Sequence, residues 1–195
     1  TRGIRTCGMD LRGCGQGFEL AVHPGHAGRS EDAHASLVEI AAQCPGSPVT
    51  IIGYSMGANI ALKMLGEAED LLPAAVDSAI TVAPPIDILA CSRNMQLGLN
   101  RLYDRAFVRA LLSHVRRRRN FAPSLAELPL RPTPRSLYEF DNRFTAPQGG
   151  FRDAEDYYAR AGAANVLQQI RVPVMILAAA DDPIIPVHIF ENAKY

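Results

Sequence analysis

Residues 49–65 read VTIIGYSMGANIALKML. Residues 49–52 are apolar or β-branched and predict a short buried strand, while residues 58–65 are rich in Ala, Leu and Met and predict a helix. Between them lies a G-x-S-x-G pattern, which turns a strand into a helix over about five residues and holds its serine at a positive φ angle. We therefore expect Ser55 to stand exposed at the positive end of the helix. The two flanking glycines are expected to lack room for a Cβ.

A serine held in this way can act as a nucleophile. The oxyanion formed by its attack would be stabilised by the backbone N–H of Met56. The five-letter pattern is common by itself, but a strand before it and a helix after it are the context of a nucleophile elbow. The alternative is a glycine-rich turn without chemistry, and the surrounding pattern favours the nucleophile.

Composition limits the classes of protein to consider. A chain of 195 residues is long enough for one good core, and its 20 basic and 20 acidic side chains cancel, so no nucleic-acid partner is predicted. No apolar run approaches the ~18 residues of a membrane span, and no signal peptide is visible. Because the chain begins with Thr and not Met, we expect a segment to precede it. The four cysteines lack metal-ligand spacing, which predicts reduced thiols in a cytoplasmic protein and no metal site.

The N-terminal region contains a second glycine pattern. Residues 4–10 alternate loosely and predict a strand, and the G-x-G-x-G at 13–17 follows it. A dinucleotide site would require a helix directly after these glycines, but an irregular stretch follows, so no nucleotide cofactor is expected. His23 and His26 form an H-x-x-H on a Pro/Gly loop, and surface histidines are favoured over metal ligands.

The flanking elements alternate. A helix with Ser30 as its N-cap is predicted over 30–42, and a strand over 75–82. Strands alternating with helices of this length predict an α/β fold with a mostly parallel sheet. A fully buried strand is predicted over 172–177, and Asp181 and Asp182 follow it, where α/β enzymes place an acid.

Residues 86–170 are helical in patches, broken by prolines and basic, and we expect them to form a lid inserted over the edge of the sheet that carries the serine. The remaining parts, 1–85 and 171–195, then form the core. An amphipathic helix predicted over 104–119 ends in four arginines, Arg116–Arg119. A solvated helix end is the favoured interpretation of this run, and a basic rim that contacts anionic lipid headgroups on a membrane surface is the alternative.

With these pieces assembled, the chain resembles the α/β-hydrolases, and more narrowly the YheT-like hydrolases and their eukaryotic relatives in the abhydrolase-domain group. The matching stretches are DLRGCG at 10–15, HAGRSED at 26–32, GYSMGANI at 53–60, APPID at 83–87, FDNRFTAP at 140–147, DAEDYY at 153–158 and ADDP at 180–183. The resemblance implies an α/β-hydrolase fold with a helical lid. It also implies a cofactor-free serine hydrolase acting on small-molecule carboxylic or lipid esters, with its triad in the order Ser, Asp, His.

The resemblance assigns Ser55 as the nucleophile and Asp182 as the acid, because the family acid lies four residues before a proline, here Pro186. Asp181 remains the alternative acid, and either aspartate has the plainer interpretation of a turn former. By resemblance, the first strands and the second oxyanion donor would precede Thr1, and the histidine would follow Tyr195.

None of the histidines in the chain is accepted as the base. His188 is predicted to start a helix, and His34 and His114 to be structural or exposed. The chain is therefore expected to be an internal fragment, inactive by itself. Two further hypotheses remain, a non-catalytic ligand-binding protein of the same fold and an acyltransferase using the same serine.

Overall fold

The computed structural model describes residues 3–68, 71–126 and 128–195. Its strands are β1 (Val49–Tyr54), β2 (Val76–Val82) and β3 (Val174–Leu177). Its α-helices are α1 (Ser30–Gln43), α2 (Met56–Ala68), α3 (Ile88–Met95), α4 (Arg101–Arg118), α5 (Pro123–Ala126), α6 (Leu137–Phe140), α7 (Ala146–Gln148), α8 (Ala154–Ala161) and α9 (His188–Glu191). Short 3-10 turns lie at Gly15–Gly17, Gly98–Asn100 and Leu167–Gln169, and a π turn at Asp141–Thr145.

The three strands form one parallel sheet in the order β1-β2-β3. Tyr54 pairs with Val82, and Val82 with Leu177, so the carboxyl ends of all three strands meet at one edge. This arrangement confirms the predicted α/β class with a parallel sheet and flanking helices. The loops that follow β1 and β3 therefore lie at the same edge, separated by the end of β2.

One face of the sheet packs against α1 and α2, and a buried cluster fills the space between them. On the opposite face, Met175 and Leu177 of β3 are exposed, as are Ile52 and Tyr54 of β1. The prediction that the strand at 172–177 is fully buried is therefore wrong. Successive residues of a strand point to opposite faces, and only one face is covered within the described part of the chain.

The predicted strand over residues 4–10 is also wrong. This segment belongs to no helix or sheet and is exposed along its length. A strand is stable only when its backbone groups pair with a neighbour, and the described sheet has no strand beside this segment. Asp10 instead closes the glycine turn, since its carboxylate accepts a hydrogen bond from the N–H of Gln16 at 3.0 Å.

A buried amide joins the sheet-packed helix α2 to the helical region 86–170. Asn59 is fully buried, and its Nδ2 donates to the carbonyls of Ala27 (3.1 Å) and Ala161 (2.9 Å). Its Oδ1 accepts from the N–H of Ala163 (2.9 Å). Because every bond of this side chain goes to backbone from a distant part of the chain, Asn59 sets the position of α8 relative to α2.

Two local predictions fail at helix ends. Ser30 is the first residue of α1 and not its N-cap, which is Arg29. The Ser30 hydroxyl donates to the carboxylate of Glu67 on the neighbouring helix, and it accepts no capping bond from a backbone N–H of its own helix. A side chain that finds a tertiary partner no longer caps its helix, and the sequence pattern alone does not distinguish the two cases.

The arginine run at the end of α4 is not uniformly solvated. Arg116 and Arg117 are exposed, but Arg118 is fully buried and its guanidinium donates to the carbonyls of Phe18 and Ala21. Gly13 leaves room for this side chain, since a Cβ there would overlap the guanidinium. The favoured interpretation of the run as a solvated helix end is therefore wrong for Arg118, which ties α4 to the N-terminal loop.

Candidate active site

Ser55 lies in the turn between β1 and α2 with a φ angle of +49°, as the G-x-S-x-G pattern predicts. Its N–H donates to the carbonyl of Val82 at 2.8 Å, and its carbonyl accepts from the N–H of Asn59 at 3.1 Å. These bonds fix the strained backbone between the end of β2 and the first turn of α2. The residue is exposed, so its hydroxyl is accessible from the carboxyl edge of the sheet.

The two glycines that flank this turn differ. A Cβ at Gly53 would lie 2.6 Å from Cα of Ala58, which is too close for any side chain. A Cβ at Gly57 would meet no described atom within 4 Å outside its own helix. The expectation that neither position has room is therefore correct for Gly53 and wrong for Gly57. Ala58 is fully buried and fits at the start of the helix.

Met56 is the first residue of α2, so its N–H belongs to the group of amides that a helix leaves free at its N-terminus. The helix dipole adds partial positive charge at the same place. The Met56 N–H and the positive end of the helix therefore lie next to Ser55 in the chain.

Asp182 lies in the loop after β3, on the same edge of the sheet as Ser55. Its Oδ1 accepts hydrogen bonds from the N–H groups of Ile184 (2.8 Å) and Ile185 (2.9 Å). Asp182 is thus a turn former, while its other oxygen, Oδ2, makes no hydrogen bond within the described residues. Asp181 is exposed beside it.

The loop after β3 is anchored from the helical region. The side-chain amides of Asn94 and Asn100 both donate to the carbonyl of Pro183, at 2.8 and 2.6 Å. Adjacent strands lie about 4.8 Å apart, so the ends of β1 and β3 are separated by roughly 10 Å across β2.

Ala83, at the end of β2, has the same φ of +49° as Ser55. Its N–H donates to the carbonyl of Leu177 at 2.8 Å, which extends the ladder past the last strand pair. The carboxyl edge therefore carries two non-glycine residues in the left-handed region, a sparsely populated conformation that clusters at functional sites. The sequence analysis did not predict this second strained residue, and only the two prolines that follow it hint at an abrupt turn.

A cavity of about 350 Å³ adjoins the elbow. Met56 and Ile60 of α2 line it, together with Phe107 and Leu111 of α4. Most of the remaining lining is also apolar. A cavity of this kind, beside a nucleophile elbow, can hold an acyl chain.

His26 is buried, which corrects the prediction of a surface histidine. Its Nδ1 accepts from the N–H of Gly28 at 3.1 Å, and its ring packs edge-on against Phe151 and Tyr157. Burial lowers the pKa of His26 to about 4, so the ring is neutral at pH 7 with its proton on Nε2. His26 also lines the cavity, and its Nε2 has no hydrogen-bond partner among the described residues.

Of the three other histidines considered as bases, two contact other groups and one is exposed. His188 begins α9, as predicted, and is exposed. His34 bonds the carbonyl of Leu71 at 2.9 Å, and His114 packs edge-on against Phe18. Among the described residues, no histidine is hydrogen-bonded to Ser55 or Asp182.

A buried carboxylate lies in the helical region, where sequence analysis gave it no role. Asp141 accepts hydrogen bonds from the hydroxyls of Tyr158 (2.8 Å) and Thr145 (2.5 Å). Burial raises the pKa of Asp141 to about 6, even though both bonds favour the ionised form. Through Asp141, the motif FDNRFTAP at 140–147 therefore links the π turn to α8. Because Asp141 lies in a π turn, no regular helical pattern in the sequence indicated this residue.

Residues 3–68, 71–126 and 128–195 contain no cluster of His, Cys, Asp or Glu suited to a metal ion. None of their helices has the length and apolar character needed to cross a membrane.

The elbow, the carboxyl-edge aspartates and the parallel sheet define a class of protein. The chain matches the α/β hydrolase fold family over residues 1–194 and belongs to it.

Within that family, the chain is 32% identical to the Escherichia coli protein named "Putative esterase YheT" over 177 residues, covering 90% of this chain and 52% of the relative. It is 31% identical to mouse phospholipase ABHD3, covering 85% of this chain and 40% of that protein. It is 29% identical to a Saccharomyces cerevisiae monoacylglycerol lipase, covering 93% and 42%. The chain therefore spans about half the length of these curated relatives, or less.

Proposed function

We propose that the chain carries the nucleophile and the acid of a serine hydrolase that cleaves carboxylic esters. The observation that supports this most directly is the strained, exposed Ser55 at the carboxyl edge of a parallel sheet, with the Asp182 loop at the same edge. The relatives are named as an esterase, a phospholipase and a lipase, which supports a small-molecule or lipid ester as substrate.

In the proposed mechanism, the Ser55 hydroxyl attacks the ester carbonyl while a histidine from outside this chain takes its proton. The Met56 N–H, with a second donor from outside the chain, stabilises the tetrahedral oxyanion. The alcohol leaves with the proton from the histidine, and water then hydrolyses the acyl-enzyme by the same steps. Asp182 orients the histidine and stabilises its charged form, with Asp181 as the alternative acid.

We further propose that residues 86–170 act as the lid and that the cavity beside Met56 is the acyl pocket. The helix α4 supports this assignment, since Phe107 and Leu111 on it line the cavity together with Met56 and Ile60 of α2. The core then consists of residues 1–85 and 171–195. A lid over the elbow excludes water and positions the acyl chain.

A second function, apolar-ligand binding without catalysis, is favoured by one observation. No histidine within the described residues is hydrogen-bonded to Ser55 or Asp182, and a serine without a base is a poor nucleophile at pH 7. The two functions differ in whether Ser55 reacts.

The test compares Ser55→Ala with Ser113→Ala, a matched loss of an exposed hydroxyl on α4. Both are made in the complete polypeptide and assayed for p-nitrophenyl ester hydrolysis and fluorophosphonate labelling. Ser55→Ala should lower turnover by at least about 10³-fold and abolish labelling. Ser113→Ala should change neither by more than about twofold. Full labelling of Ser55→Ala would refute the assignment of the nucleophile, and an unreactive wild type that still binds fatty acid would favour the binder.

A further inference from the structure

The outward side of α4 is organised in rows. In an α-helix, residues four apart lie on the same side, and consecutive residues are 100° apart. Three adjacent rows are exposed on α4, one basic, one of apolar residues and one aromatic. These are Arg101, Arg105 and Arg109, then Leu102 and Ala106, then Tyr103 and Phe107. We refer to these seven residues, with Leu97 and Leu99 just before the helix, as the outer face of α4.

The basic row has no acidic counterpart on its own helix. Asp104 is the single carboxylate of α4, and it is buried, where it accepts the N–H of Leu137 at 2.7 Å. Arg116 and Arg117 extend the exposed positive charge toward the end of the helix. Although the whole chain has a net charge of zero, the outer face of α4 therefore carries exposed arginines and no carboxylate of its own helix.

The leucines of the same face are unusually exposed. Leu97 and Leu102 are each 63% exposed, and Leu99 is 82% exposed. Single exposed leucines are ordinary, but three within six residues, bordered by arginines, form an amphipathic surface. Helices of this composition lie in the interface of a bilayer, with leucine and aromatic side chains among the acyl chains and arginines at the headgroups.

We propose that the outer face of α4 docks on an anionic lipid bilayer. The positive charge matches anionic headgroups, and the apolar side chains are the part that a nucleic acid or a soluble polyanion would leave unused. This docking proposal rests on the proposed function, since a hydrolase of lipid esters meets its substrate in a membrane.

Phe107 connects the outer face of α4 with the proposed acyl pocket. Phe107 is 45% exposed on the outer face and also lines the cavity, together with Leu111 one turn further along. An acyl chain leaving the bilayer at α4 therefore reaches the cavity past Phe107.

The test is co-sedimentation of the complete polypeptide with large unilamellar vesicles of phosphatidylcholine, with and without about 30% phosphatidylglycerol. Arg105→Gln with Arg109→Gln should weaken binding to the anionic vesicles by about tenfold or more. Leu99→Ser with Leu102→Ser should weaken it comparably, by removing the apolar anchors. The matched control is Arg152→Gln with Arg160→Gln, which removes two exposed arginines that are already paired with Asp156 and should change binding by less than about twofold.

The outcomes separate this proposal from the proposed function. Ser55→Ala should bind vesicles as the wild type does, and the arginine and leucine variants should keep their turnover of a soluble ester. Absence of wild-type binding to anionic vesicles, equal loss in the control pair, or binding that survives both outer-face pairs would overturn the docking proposal. Binding to a DNA duplex in preference to vesicles would also overturn it. Thermal unfolding of each variant confirms that it remains folded.

Discussion

The side-chain amide of Asn59 donates a hydrogen bond of 2.9 Å to the carbonyl of Ala161, across 102 residues of sequence. It thereby joins α2, the helix that follows Ser55, to the last turn of α8. The position of Ser55 relative to the proposed lid thus depends on one fully buried polar side chain.

Replacing Asn59 by Ala should be severely destabilising. The change removes three hydrogen bonds and leaves the carbonyls of Ala27 and Ala161 and the N–H of Ala163 without their partner inside the core. We expect a loss of about 3 kcal/mol or more in the free energy of unfolding, measured by urea denaturation.

The control is Asn165→Ala. Asn165 is exposed and makes one bond, to the carbonyl of Ala159. Its loss should cost about 1 kcal/mol or less. Equal effects of the two changes would mean that the Asn59 network contributes little.

The glycines around Ser55 offer a matched pair. Gly53→Ala forces a Cβ against the backbone of Ala58 and should lower stability by about 2 kcal/mol or more. Gly57 is the second residue of α2, and a Cβ added there meets no described atom outside the helix. Gly57→Ala should therefore increase stability, by about 1 kcal/mol or less. Thermal unfolding of both variants checks this ranking, and a reversed order would contradict the geometry of the elbow.

The two aspartates after β3 are distinguished by activity. In the complete polypeptide, Asp182→Asn should lower kcat by about 10³-fold or more, since an amide holds the histidine in the wrong tautomer. The amide keeps an oxygen for the N–H groups of Ile184 and Ile185, so stability should change little. Asp181→Asn should change kcat by less than about fivefold. The opposite ranking would move the acid to Asp181.

Two buried groups should give the stability an opposing dependence on pH. The pKa of Asp141 is raised by burial from 3.8 to about 6, so the folded state binds more protons in that range and this group makes the protein less stable as pH rises. The pKa of His26 is lowered by burial from 6.5 to about 4, so the unfolded state binds more protons and this group makes the protein more stable as pH rises.

The single variants should separate the two contributions. Between pH 4 and 6, the stability of Asp141→Asn should rise relative to the wild type by on the order of 2 kcal/mol, and that of His26→Gln should fall by a similar amount. Urea denaturation at each pH measures both. Parallel pH profiles for the wild type and both variants would show that neither group titrates in this window.

Much of the fold could be predicted because its signals are local. The elbow is a strand, a G-x-S-x-G turn and a helix in contiguous sequence, and the alternation of strands and helices is enough to predict a parallel sheet. The positive φ of Ser55 follows from the same local pattern.

The parts that failed depend on distant contacts. Whether Arg118 is solvated depends on carbonyls about 100 residues away. The burial of His26 depends on the aromatic rings of Tyr157 in α8 and of Phe151 just before that helix. The segment at 4–10 has a strand-like pattern but no neighbouring strand in the described sheet, and the exposed side of β3 is decided by which face the helices cover.

The enclosure of Arg118 by the N-terminal loop has a consequence for recombination between relatives. A chimera that exchanged residues 86–170 alone would take position 118 from one parent and positions 13, 18 and 21 from the other. The guanidinium of Arg118, the two carbonyls that accept its hydrogen bonds and the glycine that makes room for it would then no longer come from the same protein. Crossover points that keep residues 13–21 and α4 from the same parent preserve this contact. A chimera should therefore take both segments from one parent, although about 80 residues lie between them.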